Sequence, residues 1–185
     1  MYFTKPGKEN TDETLELAVK TAKEKKIKHI VVASSSGETA EKLKKLAGDD
    51  IEIVCVTHCY GYPTEGVNDM TNEEREKLIS SGIKVLTTTH VLSGAERGLS
   101  AKFGGISPVE VMANTLRMFG QGTKVCVEIS VMAVDAGLIP YMQPVIAIGG
   151  SGHGSDTSLI IRTAHANKIL DTKIDEVICK PYLDY

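Results

Sequence analysis

Paired cysteines, surplus positive charge, long apolar runs and repeats are all missing from this chain, and each absence excludes a class of function. Cys55, Cys59, Cys126 and Cys179 form no CxxC pair, only one Cys-x3-Cys spacing, so the sequence indicates no metal–thiolate centre and no metal is expected. The net charge is −3 and the pI near 6.0, which argues against a nucleic-acid partner. Lys20, Lys23, Lys25, Lys26 and Lys28 do cluster, but Glu16 and Glu24 are interleaved with them, as on the solvated end of a helix. No apolar run approaches the ~18 residues of a membrane span. Met1 to Gly7 lacks the apolar core of a signal peptide. A reduced, cytoplasmic setting with no membrane partner is therefore expected. With no internal repeat, linker or low-complexity segment, 185 residues of 42% hydrophobic content are expected to form one domain spanning 1–185.

What is present is a set of apolar strands that end in polar chemistry. Ile30 to Ala33 runs into Ser34-Ser35-Ser36-Gly37, and Ile51 to Val56 runs into Thr57-His58. Ile83 to Leu86 runs into Thr87-Thr88-Thr89-His90, and Val145 to Ile148 runs into Gly149-Gly150-Ser151-Gly152-His153-Gly154. In a parallel α/β sheet such ends share one edge, and ligands bind in the crevice outside it. Helical spacing of Leu15, Ala18, Val19 and Ala22 predicts a helix over about 12–26. A second is expected from Gly37 to Ala47, and a third from the Thr71 cap to Ser80. Residues 88–106 read as a long glycine-bearing loop of the functional kind, followed by a helix with Pro108 at its first position. Lys124 to Ala136 fits strand alternation and helical spacing alike; its length and the Gly137 stop favour a helix. Thr157–Thr163 and Asp175–Lys180 read as two further strands, around a helical turn near 164–170. The expected fold is a three-layer α/β/α domain on a mostly parallel sheet with an antiparallel or mixed edge.

Three loops carry candidate chemistry. Ser34, Ser35, Ser36, Gly37 and Thr39 lie between a buried strand and a helix, where free amides and a positive dipole end suit a phosphate. The competing reading is that Ser35 or Ser36 caps the helix, and Glu38 opposes a highly charged ligand. Gly149, Gly150 and Gly152, followed by Asp156 and Thr157, form a second loop. Its spacing departs from a dinucleotide fingerprint, and Ser-Leu-Ile-Ile follows rather than a helix pattern. Close approach of backbone to a flat ligand would explain these glycines, and so would a plain turn. His58, after Thr57, and His90, after Thr89, could hydrogen-bond a ligand ring, transfer protons, ligate a metal with Cys59 (though neither loop has a paired ligand motif), or serve only as loop caps. Glu96 and Arg97 could clamp a ligand or form a surface ion pair.

The serine loop, with Val56-Thr57 ending the next strand, resembles the carboxy-terminal α/β domain of pyruvate kinase. Asn10-Thr11, Thr57-His58-Cys59-Tyr60-Gly61, Thr89-His90, Phe119-Gly120-Gln121-Gly122, Glu128, Asp135-Ala136-Gly137-Leu138 and Gly149 to Thr157 extend that resemblance along nearly the whole chain, which looks like a stand-alone version of the domain. In pyruvate kinase the equivalent loop holds a phosphate of the sugar bisphosphate effector. Here Ser35 and Glu38 stand where basic residues are common, which weighs against that effector. The resemblance implies no phosphorylation of pyruvate or ADP by this chain. It also implies flavin mononucleotide (FMN) as the ligand, carried or used in redox chemistry. The alternatives are a regulatory module sensing another phosphorylated metabolite, and a flavin-free hydrolase or isomerase using His58 or His90. A phosphorylated small molecule is the expected partner, and a homo-oligomer is compatible with this picture.

Overall fold

The computed structural model describes residues 1–182. Seven strands, β1 (Tyr2–Phe3), β2 (His29–Ala33), β3 (Glu52–Val56), β4 (Lys84–Leu86), β5 (Pro144–Gly149), β6 (Thr157–Arg162) and β7 (Lys173–Pro181), form one mixed sheet. Their order is β1-β7-β6-β5-β2-β3-β4. The four strands β5, β2, β3 and β4 are mutually parallel, whereas β6 runs antiparallel to both β5 and β7. Parallel pairing brings the carboxy-terminal ends of β2, β3, β4 and β5 to one edge, as the sequence predicts.

Helices cover both faces, which is why the central strands are apolar on both sides. Alternation sorts their side chains: Ile30, Val32, Ile53, Cys55, Ile146 and Ile148 pack in one core, with Leu15, Leu43 and Leu78 of α1 (Thr11–Lys25), α2 (Glu38–Ala47) and α3 (Asn72–Ser80). Val31, Val54, Val56, Val145 and Ala147 pack in the other, with Cys126, Ile129 and Ala133. Those three belong to α6 (Gln121–Asp135), a helix buried nearly all round, which resolves the ambiguity of that stretch. α4 (Ala95–Phe103) and α5 (Pro108–Arg117) lie outside α6 in sequence order before it, and α5 packs against α6.

Two elements depart from expectation. The stretch 88–106 is not structureless, because α4 occupies its centre; Gly98 within it and Gly94, Gly104 and Gly105 around it read as loop, and the helix buries none of its residues. The amino terminus supplies an edge strand, β1, paired in parallel with Lys180 and Pro181 of β7. Two residues are too few to show a period. The turn near 164–170 is a short 3-10 segment, Ala166–Asp171, and β7 begins at Lys173 rather than Asp175.

Candidate functional site

The serine loop leaves β2 at the crevice edge and enters α2. Ser34 continues the strand pairing, its amide donating to Val56 O at 3.0 Å, and is buried; Ser35 is half-buried and Ser36 exposed. The helix begins at Gly37, whose φ of 86° lies in the left-handed region, and no side chain caps it. The capping role for Ser35 or Ser36 is therefore not taken up. A Cβ at Gly37 would lie 2.9 Å from Leu78 Cδ1, so the residue is required both for its φ and for packing against α3. The first-turn amides of α2 have no helical partner, and Ser35, Ser36 and Thr39 flank that turn in sequence. Two acids oppose an anion in this first turn: Glu38 is drawn towards Lys8 (3.7 Å) and Lys42 (3.9 Å), and Glu41 is paired with Lys77 (2.8 Å).

The glycine loop is organised from inside by Asp156, which is fully buried. Its Oδ2 accepts from the amides of Ser151 (3.2 Å) and Gly7 (3.1 Å), and its Oδ1 from Thr157 Oγ1 (2.7 Å). Thr11 Oγ1 accepts from the Ser155 amide at 3.0 Å and donates to Lys8 O at 2.7 Å. The amino-terminal segment thus straps the loop down. Asp156 and Thr157 face the interior, with their polar atoms engaged there. The close approaches at the glycines are also internal. A Cβ at Gly150 would run into Gly154 O, and one at Gly149 would lie 2.8 Å from Gly122 O at the start of α6. Gly152 alone of these three has open space around it, with φ 111°. The flat-ligand explanation of the glycines is thus replaced at Gly149 and Gly150 by packing of the chain against itself.

The two histidines are brought together, with ring centroids 6.1 Å apart. His58 Nδ1 lies 3.2 Å from Asp69 Oδ2, and Tyr62 meets the His58 ring edge-on at 4.8 Å. A neutral imidazole that donates from Nδ1 to a carboxylate presents an unprotonated Nε2. His90 donates from Nε2 to Thr57 O at 3.4 Å, which leaves Nδ1 as its acceptor. Burial lowers the His90 pKa from its ordinary value, against the opposite pull of Glu128. A line of hydroxyls holds the two loops together: Arg75 donates to Thr87 Oγ1 (3.1 Å), which lies 2.7 Å from Thr57 Oγ1, itself a donor to His58 O (2.8 Å). No group of three or more His, Cys, Asp or Glu side chains suited to a metal occurs among the described residues.

Behind His90 lies a feature that sequence reasoning did not single out. Lys124 and Glu128, one turn apart on α6, form an ion pair with both side chains about 5% exposed. Glu128 Oε1 also accepts from the Leu92 amide at 2.9 Å and Ser93 Oγ at 3.5 Å, tying down the loop after His90. Burial pushes the Lys124 pKa down, opposed by the neighbouring carboxylate. The signal was present: a Lys and a Glu four apart inside a run of Val, Cys and Ile. Cys55, Cys126 and Cys179 are buried. Burial pushes the Cys55 thiol up to about 12 and that of Cys179 to about 11, and raises Cys126 as well. These three behave as small hydrophobes rather than nucleophiles.

Solved structures with similarity to this chain include a pyruvate kinase from Cryptosporidium parvum, at 18% identity and a TM-score of 0.42, over 82% of this chain and 22% of that one. The same organism's pyruvate kinase in complex with ADP matches at 19% identity and a TM-score of 0.40, over 80% and 22%. The chain thus spans about a fifth of the length of these enzymes. The family model for the pyruvate kinase alpha/beta domain matches residues 12–161, a stretch that takes in the serine loop, both histidines, α6 and the glycine loop. With β2 to β5, the crevice edge and its loops inside the matched region, the chain belongs to the pyruvate kinase alpha/beta domain family.

Proposed function

We propose that this protein binds a phosphorylated small molecule, FMN, in the crevice at the carboxy-terminal ends of β2, β3, β4 and β5. The observation that carries this reading is the amino terminus of α2, a ten-residue helix whose cap position, Gly37, supplies no side chain and whose amides receive no side-chain cap, with Ser35, Ser36 and Thr39 flanking it in sequence. Amides without helical partners, hydroxyl donors and a positive dipole end together suit a phosphate monoester. Ser34 and Thr57 are buried where β2 and β3 end at this edge. The side of the crevice where His58, Tyr62 and His90 lie suits a flat ring better than the glycine loop, in which Gly149 and Gly150 are closed off by the chain itself and Gly152 has open space. When bound, flavin would supply electron transfer. The protein's own residues would hold the phosphate, contact the ring and keep two imidazole nitrogens available to accept hydrogen bonds.

Those paired imidazoles support a second reading, in which one histidine moves a proton to or from the bound ligand. His90 suits it, since burial favours its neutral, proton-accepting form.

The direct test is mass spectrometry of small molecules released when the purified protein is denatured, alongside its visible spectrum. FMN and a flavin absorption band are expected. Release of no phosphorylated compound, together with no uptake of added FMN, would overturn the reading.

A further inference from the structure

On the far side of the His90 loop, between α4, α5 and Leu92-Ser93, lies a recess of about 210 Å³. Arg97 of α4 and Arg117 of α5 line it, with Asn114, Ser93, Leu92 and Ala113. Neither guanidinium has a carboxylate partner among the described residues. Arg117 is instead held by neutral amides, with Nε donating to Gln121 Oε1 at 2.8 Å and Nη1 to Asn114 Oδ1 at 2.9 Å. Arg97 has no side-chain hydrogen bond among them.

The neighbouring acids make their direct contacts elsewhere, although Glu110 lies near enough for Arg97 to share, after Ser100 and Ser107, in holding its carboxyl below the ordinary range. Glu110, which also lines the recess, accepts from Ser100 Oγ (2.6 Å) and the Ser107 amide (2.8 Å) as the capping box of α5. Glu96 accepts from the Gly94 amide at 2.7 Å, and Glu128 is committed to Lys124 and the Leu92 amide behind the recess wall. An arginine fork that the protein leaves without a carboxylate, beside another already oriented, matches a planar or tetrahedral oxyanion.

We propose that this recess is a site for a small oxyanion, carboxylate or phosphate, held by Arg97 and Arg117 and separate from the serine loop. Its volume falls below the ~300 Å³ at which sites for drug-sized molecules begin, so it takes an anion of a few heavy atoms rather than a nucleotide. Leu92 and Ala113 give it an apolar floor, on which the carbon chain of a short carboxylate can rest. The site does not depend on FMN or on the serine loop.

The test is an amide and arginine-Nε NMR titration of the full chain, with inorganic phosphate in one arm and malonate in another. Potassium chloride at matched ionic strength is the control. At least one anion is expected to give saturable shifts at Ser93, Arg97 and Asn114. These shifts are expected to weaken at least tenfold in Arg97→Gln and in Arg117→Gln, both exposed positions, and to persist unchanged in the Ser36→Ala/Thr39→Ala variant. Whichever arm saturates first identifies the class of anion. Absence of saturable shifts with either anion, equal shifts with chloride, persistence in both arginine variants, or loss in the serine-loop variant would each overturn the proposal.

Discussion

Gly150 shows how one residue can separate packing from binding. The space that a side chain would need there is filled by the loop's own backbone at Gly154 and Ser155. Gly150→Val is therefore expected to destabilise the ligand-free protein, by about 1–3 kcal/mol as other overpacked sites do. Denaturant unfolding of the apo-protein measures this, and unchanged stability would return Gly150 to the ligand. His90 makes a second residue-scale prediction. Burial holds its folded pKa below the unfolded value, so the unfolded chain takes up a proton first as pH falls. The stability that His90 contributes is present above the unfolded pKa, about 6.5, and declines as pH drops through the window just beneath it. His29 is shifted in the same direction, also by burial first, so the comparison must be between wild type and His90→Gln. Melting temperatures across pH 5–8 are expected to fall less steeply on the acid side in that variant; identical slopes would contradict the assignment.

Helix α6 carries the most consequential element-scale contact. Glu128→Ala removes the partner of a buried ammonium and the acceptor of the Leu92 amide at once. Leaving a buried charge unpaired costs about 3–5 kcal/mol. Unfolding of this variant is expected to show a loss of that size, and a loss under about 1 kcal/mol would mean that water reaches Lys124 readily. Elements with strong local signals were legible in the sequence. α3 and α5 both begin with capping boxes, Thr71 with Glu74 and Ser107 with Glu110, and both starts were read correctly. α4 was not, because Gly98 inside it and Gly94, Gly104 and Gly105 beside it are loop signals that outweigh the short Ala95, Leu99, Phe103 period. The Lys124–Glu128 pair was overlooked because its spacing is that of any solvated helix pair; only the apolar residues around it indicate burial.

At the scale of the whole molecule, the crevice edge was legible because four buried strands end in Ser, Thr, His and Gly, and parallel pairing places those ends side by side. What holds the glycine loop was not legible, since it depends on contacts far apart in sequence. Met1 donates through its ammonium to Ile178 O at 2.7 Å, and Gly7 donates to Asp156 across the chain. No local pattern announces that the first eleven residues strap the glycine loop. The same strapping turns Asp156, Thr157, Gly149 and Gly150 towards internal support, so the serine loop is the anchor proposed for a ligand. That anchor is most directly tested by titrating FMN into wild type and into Ser36→Ala/Thr39→Ala, with both proteins shown to be folded by their melting curves. Two lost hydroxyl donors to a charged acceptor, at roughly 1 kcal/mol or more each, correspond to at least about a tenfold loss of affinity. Weakening of that size is the expected result, and equal affinity in the two proteins would place the phosphate away from the serine loop.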